Sequence, residues 1–379
     1  MDFNLSPVDK MIAKTAKDFC DREIMPLAEK IVADDDFPPD FLPRCAKARL
    51  LGVTVPKEFG GVGANNLQFI LMAEELGKTG TTSFWPLAMN NSVADVIAHH
   101  GNEDVKKRFL PPLCDGSAYA SMAFTEPGTG SDPRAITTTA ALDGDHYVVN
   151  GSKRFITNGN KPGYGLFHVR DLSLNSEKDL LTALIIEKNS PGYATSAPWK
   201  LMGLEGMNCV DVHFKDVRVP RDRVVGEPGK SFKILLAWIA EERIQQAAYM
   251  LGLGQAALDE AVGYAKTRLV GGKPMAAMQG IQWMLADMKV RLDACRMLVY
   301  RAAWMRDQGQ SIEVVSAELK TFVTPNVQEV CRQALQIHGA YGYSREYKVE
   351  RLYRYAAHAG VVATSTEINR TIAGASLAR

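Results

Sequence analysis

The sequence lacks an excess of either charge. Its 44 Lys and Arg residues are balanced by 43 Asp and Glu residues, which gives a formal net charge of +1. Proteins that bind nucleic acid usually carry a clear basic excess or a basic stripe on one face. No nucleic-acid partner is therefore expected.

Long apolar runs and targeting signals are also lacking. No segment approaches the roughly 18 consecutive apolar residues that a transmembrane helix needs. The first residues do not show the basic, apolar and small-residue succession of a signal peptide, and Asp2, Asp9, Asp18 and Asp21 are atypical of a transit peptide. The sequence predicts a cytoplasmic protein with no membrane association.

Patterns that hold metals or nucleotides are lacking as well. The six cysteines include no CxxC pair and the seven histidines form no HExxH motif, so no metal site is expected. The glycine clusters at 60–63 and 252–254 do not lie between a strand and a helix N-terminus, as a Rossmann or P-loop motif would. These glycines are typical of turns and of close helix packing.

What the chain does contain is three regions of different patterning over 379 residues. Residues 1–116 show apolar residues at helical spacing and predict an N-terminal all-α domain. Residues 117–228 alternate in short strands between turns and predict an antiparallel β-barrel or sandwich. Residues 229–379 predict a C-terminal four-helix bundle, whose first two helices span 232–268 and 279–308. The predicted fold class is α+β.

Two segments of the β region carry groups suited to a flat polar ligand. Met122–Asp132 runs from a strand into a turn whose glycines and hydroxyls can present N–H and O–H donors. Asn150–Gly159 begins with Asn150-Gly151, a dipeptide that predicts a hairpin, and places Phe155 and Thr157 on one strand face. From these residues alone, a generic β domain and a planar-cofactor site both stay open.

These segments belong to a set of motifs that spans the whole chain. Residues 125–132 read Thr-Glu-Pro-x-x-Gly-Ser-Asp, and residues 150–159 read Asn-Gly-x-Lys-x-Phe-Ile-Thr-Asn-Gly. Further motifs of the set lie at residues 56–61, 74–77, 279–288 and 336–343. In this order the set resembles the acyl-CoA dehydrogenase flavoprotein family.

The resemblance implies an acyl-CoA dehydrogenase fold that binds FAD and an acyl thioester. Phe155 would stack on the isoalloxazine ring, and Thr157 would bond near its N5. Arg268 and Gln279 would contact a neighbouring subunit's cofactor, in a homotetramer. The implied FAD-binding residues are Met122, Phe124, Thr125, Gly130, Ser131, Phe155, Thr157, Arg268, Gln279, Gln336, Gly339, Ser365 and Glu367. The implied substrate-binding residues are Ser131, Arg243 and Ala363.

The resemblance also implies a reaction and an electron acceptor. A base removes the C2 proton of the acyl group, the C3 hydride passes to flavin N5, and an electron-transfer flavoprotein then takes the electrons. The C2 proton is weakly acidic, so the thioester carbonyl must be polarised by positioned donors. The base must be a carboxylate with little water near it, so that its pKa rises toward the working range.

The residue that usually supplies this base is missing. Family members commonly end with Tyr-Glu-Gly-Thr-x-Glu-Ile-x-Arg, and the first Glu of that stretch is the base. Alignment on Glu367, Ile368 and Arg370 places Ala363 at its position. Ala363 keeps the backbone N–H that can polarise a carbonyl but has no carboxylate.

Glu242 is the candidate replacement. Isovaleryl-CoA and long-chain members of the family carry the base on the first bundle helix, directly before an Arg, and Glu242-Arg243 matches that position. An acidic pair on a helix is otherwise a solvated or ion-paired face, but Glu241-Glu242 interrupts an apolar run. We therefore expect Glu242 to be the catalytic base. Arg243 would contact the carrier end of the thioester or pair with a nearby carboxylate.

Other functions for the same fold stay open. A related flavin oxidase, a non-redox eliminating enzyme and a non-catalytic acyl-thioester or flavin-binding homologue are alternatives, the last because of Ala363. The carrier can be CoA or the phosphopantetheine of an acyl-carrier protein.

Phe84 stands where glutaryl-CoA members carry an Arg, which disfavours a dicarboxylic substrate. The usual Arg-Asp pair near the end reads Arg354-Tyr355.

Overall fold

The structure is a computed structural model that describes residues 4–176 and 180–378. Its first part is helical, and the helices are α1 (Pro7–Phe19), α2 (Ala28–Asp34), α3 (Phe41–Lys47), α4 (Asn66–Lys78), α5 (Phe84–His100) and α6 (Glu103–Asp115). Ser6 and Asp9 form a capping box at the start of α1, and Asn65 and Gln68 form another at the start of α4. Helix α5 is apolar or buried on nearly all sides, so it lies inside the molecule.

The middle part is built around one eight-stranded sheet. Its strands are β1 (Tyr119–Ala123), β2 (Thr139–Asp143), β3 (His146–Thr157), β4 (Gly163–Asp171), β5 (Leu181–Glu187), β6 (Tyr193–Thr195), β7 (Cys209–Pro220) and β8 (Val224–Val225). They lie in the order β6-β7-β3-β2-β4-β5-β8, with β1 beside β4. The pairs are mostly antiparallel, as predicted. The pairs β1–β4 and β2–β4 are parallel, which strand alternation alone does not reveal.

The predicted hairpin at Asn150-Gly151 is wrong. Strand β3 runs straight through these residues, and its register with β7 shifts between Val149 and Gly151. A Cβ on Gly151 would lie 2.7 Å from the Cα of Thr138, so close backbone approach, with φ at +138°, explains the glycine. A second register shift, between Lys153 and Ile156, surrounds Phe155.

The last part is the predicted helical bundle. Its helices are α7 (Ser231–Thr267), α8 (Gln279–Asp307), α9 (Glu313–His338), α10 (Lys348–His358) and α11 (Thr366–Leu377), and the short hairpin β9 (Leu269–Val270) and β10 (Lys273–Pro274) joins α7 to α8. The first two helices match the predicted spans within one residue. In the parts of the chain that the structure describes, no helix is both long enough and apolar enough to cross a membrane.

Helix α7 is the central element, because it packs against both the bundle and the N-terminal helices. Gly252 permits this close packing: a Cβ there would lie 2.1 Å from the backbone oxygen of Glu74 and 2.6 Å from the Cα of Gly77 on α4. The prediction that this glycine cluster serves helix packing is confirmed. The N-terminal half of α7 faces the β sheet, and a cavity opens between them.

Candidate active site

A cavity of about 440 Å³ lies between the sheet, the first half of α7 and the segment that joins α10 to α11. Ten of the residues predicted from the sequence line it: Met122, Phe124, Thr125, Gly130, Ser131, Phe155, Thr157, Glu242, Ala363 and Ser365. The structure thus brings together residues from four distant stretches of the chain.

The sheet side of the cavity rests on a buried ion pair. The Nζ of Lys153 lies 2.8 Å from Oε1 of Glu126, and both side chains are almost completely buried. Glu126 also accepts hydrogen bonds from the backbone N–H groups of Thr137 and Thr138. Burial alone would raise the pKa of Glu126, but the Lys153 charge and these hydrogen bonds lower it to about 2. This carboxylate is therefore held in its ionised form, and it ties the start of the turn at 126–132 to β3 and to the residues before β2.

Phe155 is presented to the cavity by the irregularity in β3. Its φ of +58° lies in the left-handed region, and 51% of the residue is exposed. Bulges of this kind turn a side chain out of the sheet and are common beside active sites. The Trp199 ring lies 5.2 Å from the Phe155 ring, between centroids.

Trp199 is a contributor that the sequence analysis missed. Its indole N–H donates to Asp211 at 2.9 Å, and Asp211 in turn pairs with Arg154 at 2.9 Å. The residue directly before Phe155 is therefore tied to the ring that faces Phe155. A tryptophan in an irregular loop carries no spacing signal that links it to a strand 44 positions away.

The helical side of the cavity carries Glu242. Trp238, Ile239 and Tyr249, which lie near Glu242 along α7, are all buried, and Glu242 itself is only 7% exposed. Burial raises the pKa of Glu242 to about 7, and the charges of Lys320 and Arg243 limit the rise. Among the described residues, no hydrogen bond to the carboxylate of Glu242 is present. It is the one carboxylate among the described residues that line the cavity.

The neighbouring acid, Glu241, faces a different environment. Its carboxylate lies 2.6 Å from the guanidinium of Arg306 on α8, and both line a separate cavity of about 600 Å³ together with Asp95 and His99. Burial and the Asp95 charge raise the pKa of Glu241 to about 7, against the effect of Arg306. The acidic pair thus divides into one ion-paired member and one that faces the residues predicted to bind FAD.

The segment with the missing base is tightly held. Ala363 and Thr364 both have positive φ, +50° and +67°, and Ala363 is buried against the cavity. Arg243 donates to the Thr364 hydroxyl at 3.1 Å and lies 3.4 Å from the Ser316 hydroxyl. Arg243 thus supports the segment that carries Ala363. Ser365 ends the segment and caps α11 by accepting a bond from the Ile368 N–H at 3.4 Å.

The other predicted cofactor residues do not line this cavity. Arg268 follows α7, Gln279 begins α8, and Gln336 and Gly339 lie at the end of α9; all four are exposed. The Arg268 guanidinium lies 5.8 Å from the Tyr341 ring, which brings the first and last of these regions together. Glu367 is exposed in the first turn of α11. Their roles stay predictions.

The departure at Arg354-Tyr355 is accommodated locally. The Tyr355 hydroxyl donates to Glu205 at 2.5 Å, and Arg354 donates to the same carboxylate at 2.7 Å. Tyr355 therefore replaces a carboxylate with a hydroxyl donor that meets an acid on the loop before β7.

Three family models match almost the whole chain in succession. They are the N-terminal domain of acyl-CoA dehydrogenases over residues 6–117, the middle domain over 121–217 and the C-terminal domain over 229–378. The chain belongs to the acyl-CoA dehydrogenase family. This acyl-CoA dehydrogenase homologue has the family's three-part fold, as predicted, and is an oxidoreductase that acts on CH–CH bonds.

Individual relatives match over almost the whole of this chain. The probable acyl-CoA dehydrogenase YngJ of Bacillus subtilis is 35% identical over 373 residues, which cover 98% of each chain. The structure of butyryl-CoA dehydrogenase from Megasphaera elsdenii matches with a TM-score of 0.96 and 32% identity over 100% of each chain. An acyl-CoA dehydrogenase of Bacillus anthracis complexed with FAD matches with a TM-score of 0.93 and 29% identity, over 99% of this chain and 67% of that one.

Proposed function

We propose that this enzyme catalyses the FAD-dependent α,β-dehydrogenation of an acyl thioester, with Glu242 as the base that removes the C2 proton. The observation that carries the proposal is the position of Glu242: it is the single carboxylate among the described residues of a cavity whose other walls hold the predicted flavin residues and Ala363. A buried carboxylate whose pKa is near neutrality is suited to proton abstraction at physiological pH.

FAD is the cofactor, and the residues of the cavity fit it. Gly130 lines the cavity, and a Cβ there would meet nothing within 4 Å, so the backbone faces open space that a flat ligand can approach. Phe155 exposes half of its surface beside that space, and an aromatic ring so placed is suited to stacking on a planar ring system. When bound, FAD supplies the acceptor for the C3 hydride. Met122, Phe124, Thr125 and Thr157 would surround it.

A backbone N–H group would polarise the thioester carbonyl of the substrate. We infer that the Ala363 N–H donates to the thioester carbonyl, since a backbone donor needs no particular side chain. Ser131 lines the opposite wall and would contact the thioester too. Glu242 then accepts the C2 proton in its carboxylate form. Arg243 would contact the carrier end of the thioester, and it also donates a hydrogen bond to the Thr364 hydroxyl.

His358 is a further titratable group on the cavity wall, and we assign it no part in proton removal. Its ring lies edge-on to Trp85, 5.2 Å between centroids. Burial lowers the pKa of His358 to about 3, and the nearby Lys320 charge adds to that effect. A group with so low a pKa gives a carbon-bound proton little driving force for transfer.

The assembly and electron acceptor follow from the family. We propose a homotetramer in the cytoplasm that passes electrons to an electron-transfer flavoprotein. Helix α8 supports the assembly, because Trp283, Val290, Met297 and Trp304 are exposed and recur every seven residues. Such a stripe is typical of a helix that packs against a partner. The FAD sites, some of them shared between subunits, would be completed by Arg268, Gln279, Gln336, Gly339 and Glu367. We also propose domain boundaries at 116/117 and 228/229.

Anaerobic addition of a panel of acyl-CoA and acyl-carrier-protein thioesters tests the function. A dehydrogenase loses the absorbance of oxidised flavin with at least one saturated thioester and releases the α,β-unsaturated product. In air it forms peroxide slowly and transfers electrons quickly to an electron-transfer flavoprotein. Rapid stoichiometric peroxide would indicate an oxidase. Product without net redox would indicate elimination, and no bleaching with any tightly bound thioester would indicate a binding protein.

A further inference from the structure

A buried lysine lies between the two segments that carry Glu242 and Ala363. Lys320 is on α9 and is only 1% exposed. Its ammonium donates to the side-chain oxygen of Gln246 at 3.1 Å and to the backbone oxygen of Val362. Gln246 lies one helical turn after Glu242, and Val362 directly precedes Ala363. One side chain therefore ties both parts of the proposed proton-removal site together.

The placement is costly, because an ammonium loses its hydration when it is buried. Burial lowers the pKa of Lys320, and the Glu242 carboxylate is the charge that opposes this effect. The charged and titratable groups around the pair come from three helices: Arg243 on α7, Glu313 on α9, which acts on Arg243, and His358 on α10. Both Lys320 and Arg243 lower the pKa of Glu242, and the Lys320 charge has the larger effect.

We propose that Lys320 is a positioning residue, which keeps Glu242 in its carboxylate form and anchors the segment that presents the Ala363 N–H. The proposal rests on Glu242 as the base. Lys320 need not touch the thioester or the flavin for this role. Its two effects can be separated, because one depends on charge and the other on a hydrogen bond to a backbone oxygen.

The charge effect predicts a shift of the pH profile. Glu242 removes a proton as the carboxylate, so flavin reduction rises with pH through the pKa of Glu242. A nearby opposite charge lowers a carboxyl pKa by about 1–3 units. Lys320 has the largest such effect on Glu242, so its loss should move this rise upward by about one unit. A residue that only supports the fold would lower the rate by the same factor at every pH.

The test compares Lys320→Met with Lys320→Arg in the FAD-loaded enzyme, with Lys289→Met as the matched control. Lys289 forms an exposed ion pair with Asp293 on α8, so its variant makes the same chemical change far from the site. We expect the rise in the rate of flavin reduction to move up by about one pH unit or more in Lys320→Met. It should stay near the parental position in Lys320→Arg and Lys289→Met. Flavin content and melting temperature identify variants that fail to fold.

Infrared titration gives a readout that does not depend on turnover. The protonated carboxyl band that disappears in Glu242→Gln reports the pKa of Glu242, with or without substrate. An upward shift of that pKa in Lys320→Met and not in Lys320→Arg is expected. An unchanged pKa, with a rate lowered equally at all pH values, would overturn the proposal. If Glu242→Gln keeps the parental rate, the base assignment fails, whereas the infrared result still decides whether Lys320 controls Glu242.

Discussion

The two sides of the first half of α7 carry one acid each. Glu241 and Glu242 are adjacent in sequence, both are largely buried, and burial raises the pKa of each to about 7. Successive residues of a helix point in different directions, so the two carboxylates enter different cavities. Glu241 meets Arg306, whereas Glu242 faces the predicted flavin and thioester residues.

The difference shows that a raised pKa does not by itself identify a base. Glu241 has the same shift, but its carboxylate is occupied by an ion pair. Glu242 has no hydrogen bond from the described residues and lies beside a cavity that a substrate can enter. Which of the two neighbouring acids can act as the base therefore depends on access of the substrate to the carboxylate and on an oxygen that is free to accept a proton. The predictions below test that distinction.

The largest effect is expected for Glu242→Gln. Glutamine keeps the size of the side chain but cannot accept the proton, so flavin reduction by a saturated thioester should fall by about 10²–10⁴-fold. FAD content and thioester binding should stay close to those of the parent, as stopped-flow and binding titrations would show. If this variant reduces flavin at the parental rate, Glu242 is not the base, and the proposed difference in role between Glu241 and Glu242 is wrong.

A third buried carboxylate, Glu126, sharpens the comparison because it is fully paired. Lys153→Met would leave Glu126 buried without its ammonium partner. Breaking such a pair costs about 3–5 kcal/mol of stability, so the free energy of unfolding in urea should fall by that amount. FAD should also bind more weakly, since the turn at 126–132 loses its anchor. A variant as stable as the parent would contradict the structural role of this pair.

A smaller effect is expected from returning a carboxylate to position 363. In the Glu242→Gln background, Ala363→Glu should raise the rate of flavin reduction by about tenfold, a fraction of what a general base contributes. Ala363 already has positive φ and a Cβ at the cavity wall, so a longer side chain starts from the same backbone. Ala363→Gln in the same background is the control and should give no gain.

The smallest effect on rate is expected for Glu241→Gln. This change removes the charge partner of Arg306, which is partly exposed and can be hydrated instead, so the loss of stability should be about 1 kcal/mol. Flavin reduction should stay within a few-fold of the parent, as measured beside Glu242→Gln at the same pH. A fall in rate as large as that of Glu242→Gln would contradict the assignment of Glu242, rather than Glu241, as the base.

The sheet side of the site was predictable because its residues lie in two continuous motifs. Residues 122–132 and 150–159 gave the lining correctly, although not its geometry. The bulge at Phe155 depends on how β3 pairs with β7, which is a property of two strands more than fifty residues apart. For the same reason Asn150-Gly151 suggested a hairpin where the strand continues.

The helical side was predictable only in part. The loss of a carboxylate at Ala363 and the resemblance at Glu242-Arg243 indicated where a base could be, and the structure places both on one cavity. Lys320 gave no signal, since a lysine in an amphipathic helix is typical of an exposed face. Its burial arises where α7, α9 and the segment before α11 meet, which no local pattern records.

Exchange of the C2 proton tests the central claim most directly, because it separates proton removal from hydride transfer. The substrate is a thioester in which sulphur replaces C3, so that no hydride can leave, and NMR follows the replacement of its C2 protons in heavy water. The FAD-loaded parent and Glu241→Gln should catalyse exchange at similar rates. Glu242→Gln should be slower by about 10²–10⁴-fold. Equal exchange by Glu242→Gln and the parent would contradict the assignment of Glu242 as the base.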